Sequence, residues 1–197
     1  MRIFGIDPGS ERTGYGCVET DGSRHRLVAC GAITARPSDS FPERLARIHA
    51  QLTQFLDECR PDCVAIESLF HAVNAASALK LGHARGVAML AAVQAGCPIA
   101  EYAPTEIKRA VVGYGRAEKT QVQQMIKLIL GLDEVPTPHD ASDALAVAIC
   151  HIHSAPPAAQ VAAAAQQDVR SGRRSRTATP PAATPVPRSW RQFRPGP

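Results

Sequence analysis

Three apolar stretches near the N-terminus are joined by connections too short to carry a helix. Residues 3–6 run into Asp7 and a Pro8-Gly9 turn, and residues 14–20 and 26–33 flank the turn signal Asp21-Gly22-Ser23. Parallel neighbours need a crossover of roughly a dozen residues or more, so strands on such short connections run antiparallel. The chain therefore opens as a three-stranded meander. The period then changes. Ser40-Phe41-Pro42-Glu43 fits a capping box, and Leu45, Ile48, Leu52, Phe55 and Leu56 follow at helical spacing until Pro61. Residues 63–66 read as a buried strand ending in Glu67. A long helix is predicted over 74–95, stopped by Gly96, then a strand over 98–102 and a short helix over 105–112. Residues 118–130 form another helix closed by Gly131, and the last helix spans 140–153. A meander followed by strand–helix alternation predicts an α/β fold, a mixed sheet flanked by helices.

Composition divides the chain near Ser154. From residue 155 onward Ala, Pro, Gln, Ser, Thr and Arg dominate, as in Thr179-Pro180-Pro181-Ala182-Ala183-Thr184-Pro185. Such a segment has too little apolar surface to offset its ordering entropy, so residues 155–197 are expected to be a disordered tail behind one domain over 1–154. Charge divides at the same place. The tail carries seven Arg and one Asp, whereas residues 1–154 carry 15 Lys and Arg against 17 Asp and Glu. Bulk charge does not mark the folded part as a nucleic-acid binder, so any such binding must use a local basic surface. The tail's Arg residues would add at most salt-sensitive attraction to phosphates. No apolar run reaches about 18 residues, and the first residues are too short and too early-charged for a signal peptide, so a soluble cytoplasmic protein is expected. The six cysteines form no Cys-x-x-Cys pair and read as buried, reduced thiols.

Four carboxylates stand where a fold normally avoids them. Asp7 and Glu67 each follow an apolar strand directly, and strand carboxyl ends line the functional crevice of open α/β sheets. Asp140 and Asp143 are three apart and share one face of the last helix's first turn. Taken singly, Asp before Pro-Gly is a common turn former, and Asp at a helix start complements the dipole. If the elements converge, four anions face one pocket and repel. A divalent cation resolves that conflict, and all-oxygen ligands suit Mg²⁺ or Mn²⁺. Two such ions can flank a phosphodiester, one activating water and one stabilising the leaving oxygen.

Longer blocks carry a resemblance. Gly5-Ile6-Asp7-Pro8-Gly9-Ser10 with Thr13-Gly14-Tyr15-Gly16 resembles the opening of the bacterial Holliday-junction resolvase family RuvC. So do Ile66-Glu67-Ser68-Leu69-Phe70, the run from Asn74 to Gly86, Val111 to Lys119, and Asp140-Ala141-Ser142-Asp143-Ala144-Leu145-Ala146. The blocks keep the family's order across most of residues 1–153. The resemblance implies a ribonuclease-H-like fold and a homodimer that resolves four-way DNA junctions by paired symmetrical nicks, in recombination and repair. It implies Asp7, Glu67, Asp140 and Asp143 as the catalytic, metal-binding set, and the RuvA–RuvB branch-migration proteins as partners. Nothing carries over to the tail.

The resemblance also lifts some surface residues above ordinary solvated charge. Lys108 and Lys119 are candidate phosphate contacts, with Lys80, Arg85 and Arg116 behind them. Phe70 is expected to stack on an unpaired base rather than fill a core. His139 is a candidate for proton transfer, while His151 and His153 stand where they would complement the last helix's dipole. The small residues Ala75, Ala76, Ala78, Gly82 and Gly86 permit close approach of another helix, either in a dimer or within one subunit. Two rival readings remain. An actin- or sugar-kinase-like ATP-binding protein begins similarly but needs a second phosphate loop and an adenosine loop that are not found. A junction-binding module without catalysis would not need all four carboxylates.

Overall fold

The structure is a computed structural model that describes residues 1–68 and 74–154. Strands β1 (Arg2–Asp7), β2 (Arg12–Thr20) and β3 (His25–Thr34) form the expected antiparallel meander, with Asp7 opposite Gly14 and Gly5 opposite Gly16. Strand β4 (Cys63–Glu67) then joins the other side of β1 in parallel, and β5 (Ile99–Tyr102) extends the sheet beyond it. The order is β3-β2-β1-β4-β5, which places β1 at the centre.

Both faces of this sheet are covered. Helices α1 (Phe41–Cys59) and α2 (Ala75–Gln94) pack on one face, over Phe4, Ile6, Val64 and Ile66. Helix α5 (His139–Ser154) lies on the other, over Ile3, Val18 and Ala65, and α3 (Pro104–Val112) and α4 (Lys119–Ile129) pack against α5. Cover on both sides explains why β1 and β4 are apolar at successive positions rather than at alternate ones.

Local chemistry sets the helix ends. Glu43 accepts the Ser40 backbone N–H at 2.7 Å, the half of the capping box that secures the start of α1, and Arg60 adopts a left-handed conformation ahead of Pro61. Asn74 caps α2 by accepting the Ser77 N–H at 2.9 Å. Gly96 and Gly131 take positive φ just beyond α2 and α4, where a side chain would be strained.

The small residues of α2 fall into two stripes. Ala84, Ala88, Ala91 and Ala92 are fully buried in the subunit core. Ala75, Ala76, Ala78, Gly82 and Gly86 face outward, beside Leu79 at 65% and Leu90 at 49% exposure. Among the described residues, no helix is long and apolar enough to cross a membrane.

Candidate active site

Strand alternation aims the first two carboxylates. In β1, Ile3 joins the core under α5 and Phe4 and Ile6 the core under α1 and α2, so Asp7 points to the α5 face. In β4, Cys63 and Ala65 take the α5 face, which sends Glu67 the same way. Ile6 and Ile66 are register partners on adjacent parallel strands, so Asp7 and Glu67 emerge side by side.

Helix α5 supplies the other two, and glycines let it come close. A Cβ on Gly5 would lie 2.0 Å from the Ala144 carbonyl oxygen, and one on Gly14 would lie 2.0 Å from that of Asp140. A Cβ on Gly16 would meet the Leu145 side chain at 2.7 Å. The helix therefore rests directly on the backbone of β1 and β2. Its first turn is pinned further by Ser142, whose hydroxyl donates to the Pro136 carbonyl at 2.8 Å. Asp140 and Asp143 are thereby brought within electrostatic range of Asp7.

The electrostatic consequence is a proton held against its normal tendency. Burial, the Glu67 charge and then the Asp143 charge push the Asp7 carboxyl up to about 8. Burial also raises Glu67, opposed by its hydrogen bond with Asp7, so the protonated Asp7 is the donor of the pair. Basic side chains offset part of the remaining charge. Lys119 Nζ donates to Asp143 Oδ2 at 2.5 Å, and Arg12 Nη1 reaches Asp140 Oδ2 at 3.5 Å. Burial acts to lower the Lys119 pKa, but the hydrogen bond to Asp143 and the surrounding carboxylates carry it above its ordinary value. Lys108 lies close enough to lower Glu67.

Among the described residues, no three His, Cys, Asp or Glu side chains already close around one point. Asp143 is drawn to Lys119 and Asp140 to Arg12 instead. The donor set nonetheless fits a hard divalent cation. Every potential ligand is a carboxylate oxygen, and burial together with the neighbouring carboxylate charges raises Asp7.

The remaining sequence candidates disperse. Lys80 and Arg116 are exposed, on α2 and on the loop between α3 and α4. Arg85 is paired with Glu101 on β5. Glu101 is in register with Ile66, so this pair lies on the α1–α2 face, across the sheet from the carboxylates. Phe70 falls outside the described residues. His139 opens α5 with its Nδ1 2.8 Å from the Gln123 amide, a buried residue without any sequence signal. His151 and His153 lie in the last turn of α5, as expected, and each also makes a specific contact. Tyr102 Oη lies 2.8 Å from His151 Nδ1, and burial lowers the His151 pKa, favouring a neutral ring. His153 Nδ1 is 3.0 Å from the Ala110 carbonyl. Arg12 was also unmarked by sequence reasoning, since an Arg opening a strand has no period to betray it. None of the six cysteines forms a disulfide, and five of them are buried.

A five-stranded mixed sheet with helices on both faces, and with carboxylates gathered at the ends of its two central parallel strands, defines a ribonuclease-H-like enzyme. Residues 3–151 match the family model of the crossover junction endodeoxyribonuclease RuvC, and the chain belongs to that family. It is 56% identical over 155 residues to the RuvC of Citrifermentans bemidjiense, covering 79% of this chain and 94% of that one. Among solved structures, Thermus thermophilus RuvC in complex with a Holliday junction substrate superposes with a TM-score of 0.75 at 38% identity, covering 79% of this chain and 94% of that one. The yeast mitochondrial Holliday junction resolvase shares the fold at a TM-score of 0.56 and 14% identity, covering 86% of this chain and 83% of that one.

Proposed function

We propose that this chain cuts four-way DNA junctions, hydrolysing phosphodiesters at the cluster of Asp7, Glu67, Asp140 and Asp143. The observation that carries the reading is the convergence of four carboxylates, Asp7 and Glu67 side by side at two strand ends and Asp140 and Asp143 brought over them by α5. Stability alone would not select four anions around a buried strand end. The similarity to a RuvC solved with its junction substrate supplies the substrate class.

The four carboxylates are the residues that would hold Mg²⁺ or Mn²⁺, two ions per site. Bound there, the ions would activate the attacking water and stabilise the leaving 3′-oxygen. The protein's own contribution is preorganisation. Asp7 and Glu67 are fixed by the sheet register, and Asp140 and Asp143 by the seating of α5 on glycine. Lys119 and Lys108 flank the cluster and supply positive charge for a phosphate approaching the four anions. Phe70, Lys80, Arg85 and Arg116 remain proposed DNA contacts, with Arg85 also paired to Glu101.

Paired nicks require two sites in fixed relation, which a homodimer provides. The outward stripe of α2, with Leu79, Gly82, Gly86 and Leu90, is the surface we assign to it. Contiguous exposed apolar surface of this kind marks an interface. The match to the family model ends at residue 151, in keeping with a nuclease unit over 1–154 and a separate tail over 155–197. Cooperation with RuvA–RuvB and a cytoplasmic setting belong to the same proposal, supported by the family membership.

The test is cleavage of an end-labelled four-way junction, with linear duplex as control, in Mg²⁺ and in EDTA. Paired symmetrical nicks that need the metal and spare the duplex are expected. Asp143→Asn and Glu67→Gln should abolish the nicks and still bind the junction. Equal loss of folding and binding in both variants would refute the catalytic assignment.

A further inference from the structure

The loop between β1 and β2 is built more tightly than a simple turn requires. A Cβ on Gly9 would sit 2.0 Å from the Arg12 carbonyl oxygen, so only glycine lets the loop fold back on that residue. The Thr13 hydroxyl, fully buried, donates to the Gly9 carbonyl at 2.8 Å and lies 3.4 Å from the Gly9 N–H. The Ala35 N–H donates to the Glu11 carbonyl at 3.0 Å, tying the same loop to the end of β3. These contacts fix the backbone of Arg12 five residues beyond Asp7.

Its side-chain direction follows from the strand. Arg12 and Gly14 are two apart on β2 and share a face, and Gly14 lies against the Asp140 carbonyl. Arg12 therefore reaches over the N-terminus of α5 toward Asp140. The contact itself is loose. At 3.5 Å, with the Arg12 side chain 55% exposed, it belongs to the class of surface ion pairs worth little to stability. A rigid base, an exposed guanidinium and a weak present partner describe a group held ready for another anion. Lys119 stands beside Asp143, one helical turn further along α5. The carboxylate cluster thus has a cation at each end.

We infer that Arg12 is a phosphate-binding residue of the junction site, gripping the DNA backbone next to the scissile position, opposite Lys119. The inference rests on the proposed junction cleavage and adds to it a binding residue on the β1–β2 side. A guanidinium suits the role because its planar donors match phosphate oxygens in pairs. Asp140 keeps the side chain extended until DNA arrives.

The experiment compares the full-length protein with Arg12→Ala and Arg12→Lys, titrating a fluorescent four-way junction in EDTA between about 50 and 200 mM salt. The alanine variant should bind roughly three- to tenfold more weakly at the lower salt, and its log–log salt slope should be shallower by about 0.9 for each Arg12 engaged. The lysine variant should recover most of the slope. In Mg²⁺ the alanine variant should show a raised KM with kcat close to that of the parent. Unchanged affinity and slope would overturn the inference, as would a fall in kcat at constant KM, which would make Arg12 a support for Asp140 alone. Failure of the parent protein to cut any junction would instead overturn the functional reading on which this one stands.

Discussion

Substituting Gly14 by Ala tests whether the seating of α5 sets the geometry of the site. The added Cβ would lie 2.0 Å from the Asp140 carbonyl oxygen, 2.6 Å from its carbonyl carbon and 3.2 Å from its Cβ. The obstacle is helix backbone, which cannot rotate aside as a flexible side chain would. Ordinary contact is restored only if the first turn of α5 retreats by at least about 1 Å. Asp7 and Glu67 are anchored in the sheet and do not follow. Overpacking of this kind costs about 1–3 kcal/mol of stability, and a misplacement of about 1 Å among reacting groups costs on the order of 100-fold in rate. Urea unfolding should therefore show a moderate loss. Single-turnover cleavage with enzyme in excess should be about 100-fold slower, while junction binding changes little, because the basic contacts remain. A Gly14→Ala protein that cuts within a few-fold of the parent rate would refute the reasoning, since the helix would then have absorbed the clash without moving the carboxylates.

Two further outcomes are expected. The Asp7 carboxyl titrates near 8 when folded and at about 3.9 when unfolded, so between those values the folded state holds a proton that the unfolded state has lost. Folding stability of the metal-free protein should then be fully present below about pH 4 and fall as pH rises toward and through 8, with Glu67 adding in the same direction. Asp7→Asn should flatten that decline in chemical unfolding measured in EDTA, and parallel curves for the two proteins would contradict the assigned charge conflict. Leu79, at 65% exposure on the outward stripe of α2, should tolerate Glu in the folded subunit. Sedimentation should show a dimer for the parent, as proposed, and a folded monomer for Leu79→Glu, and a persisting dimer would move the interface elsewhere.

The elements of the fold were readable from period and punctuation. The meander, both parallel strands and all five helices lie within a residue or two of their expected bounds, because caps and breakers such as Asn74, Gly96 and Gly131 are local signals. The convergence of Asp7 with Glu67 was half readable, since strand alternation gives each a face but not the register that makes them neighbours. What escaped was pairing between distant elements. Nothing near Arg85 announces Glu101, and nothing near His151 announces Tyr102. The glycines of β1 and β2 stood out as part of a motif, yet their purpose, to admit a helix more than a hundred residues later, needs the third dimension.

The seating of α5 also fixes when the enzyme can exist during its own synthesis. Residues 1–67 can assemble the first four strands with Asp7 and Glu67 already side by side, but the face they point to is then bare. The helix that lies on that face, α5, brings the two remaining carboxylates with it, and ten of its residues are buried between the sheet and α3 and α4. A chain still emerging from the ribosome is thus neither folded on that side nor able to gather all four acids. Completion of the core on that face and completion of the proposed cutting site both wait on the same helix, α5.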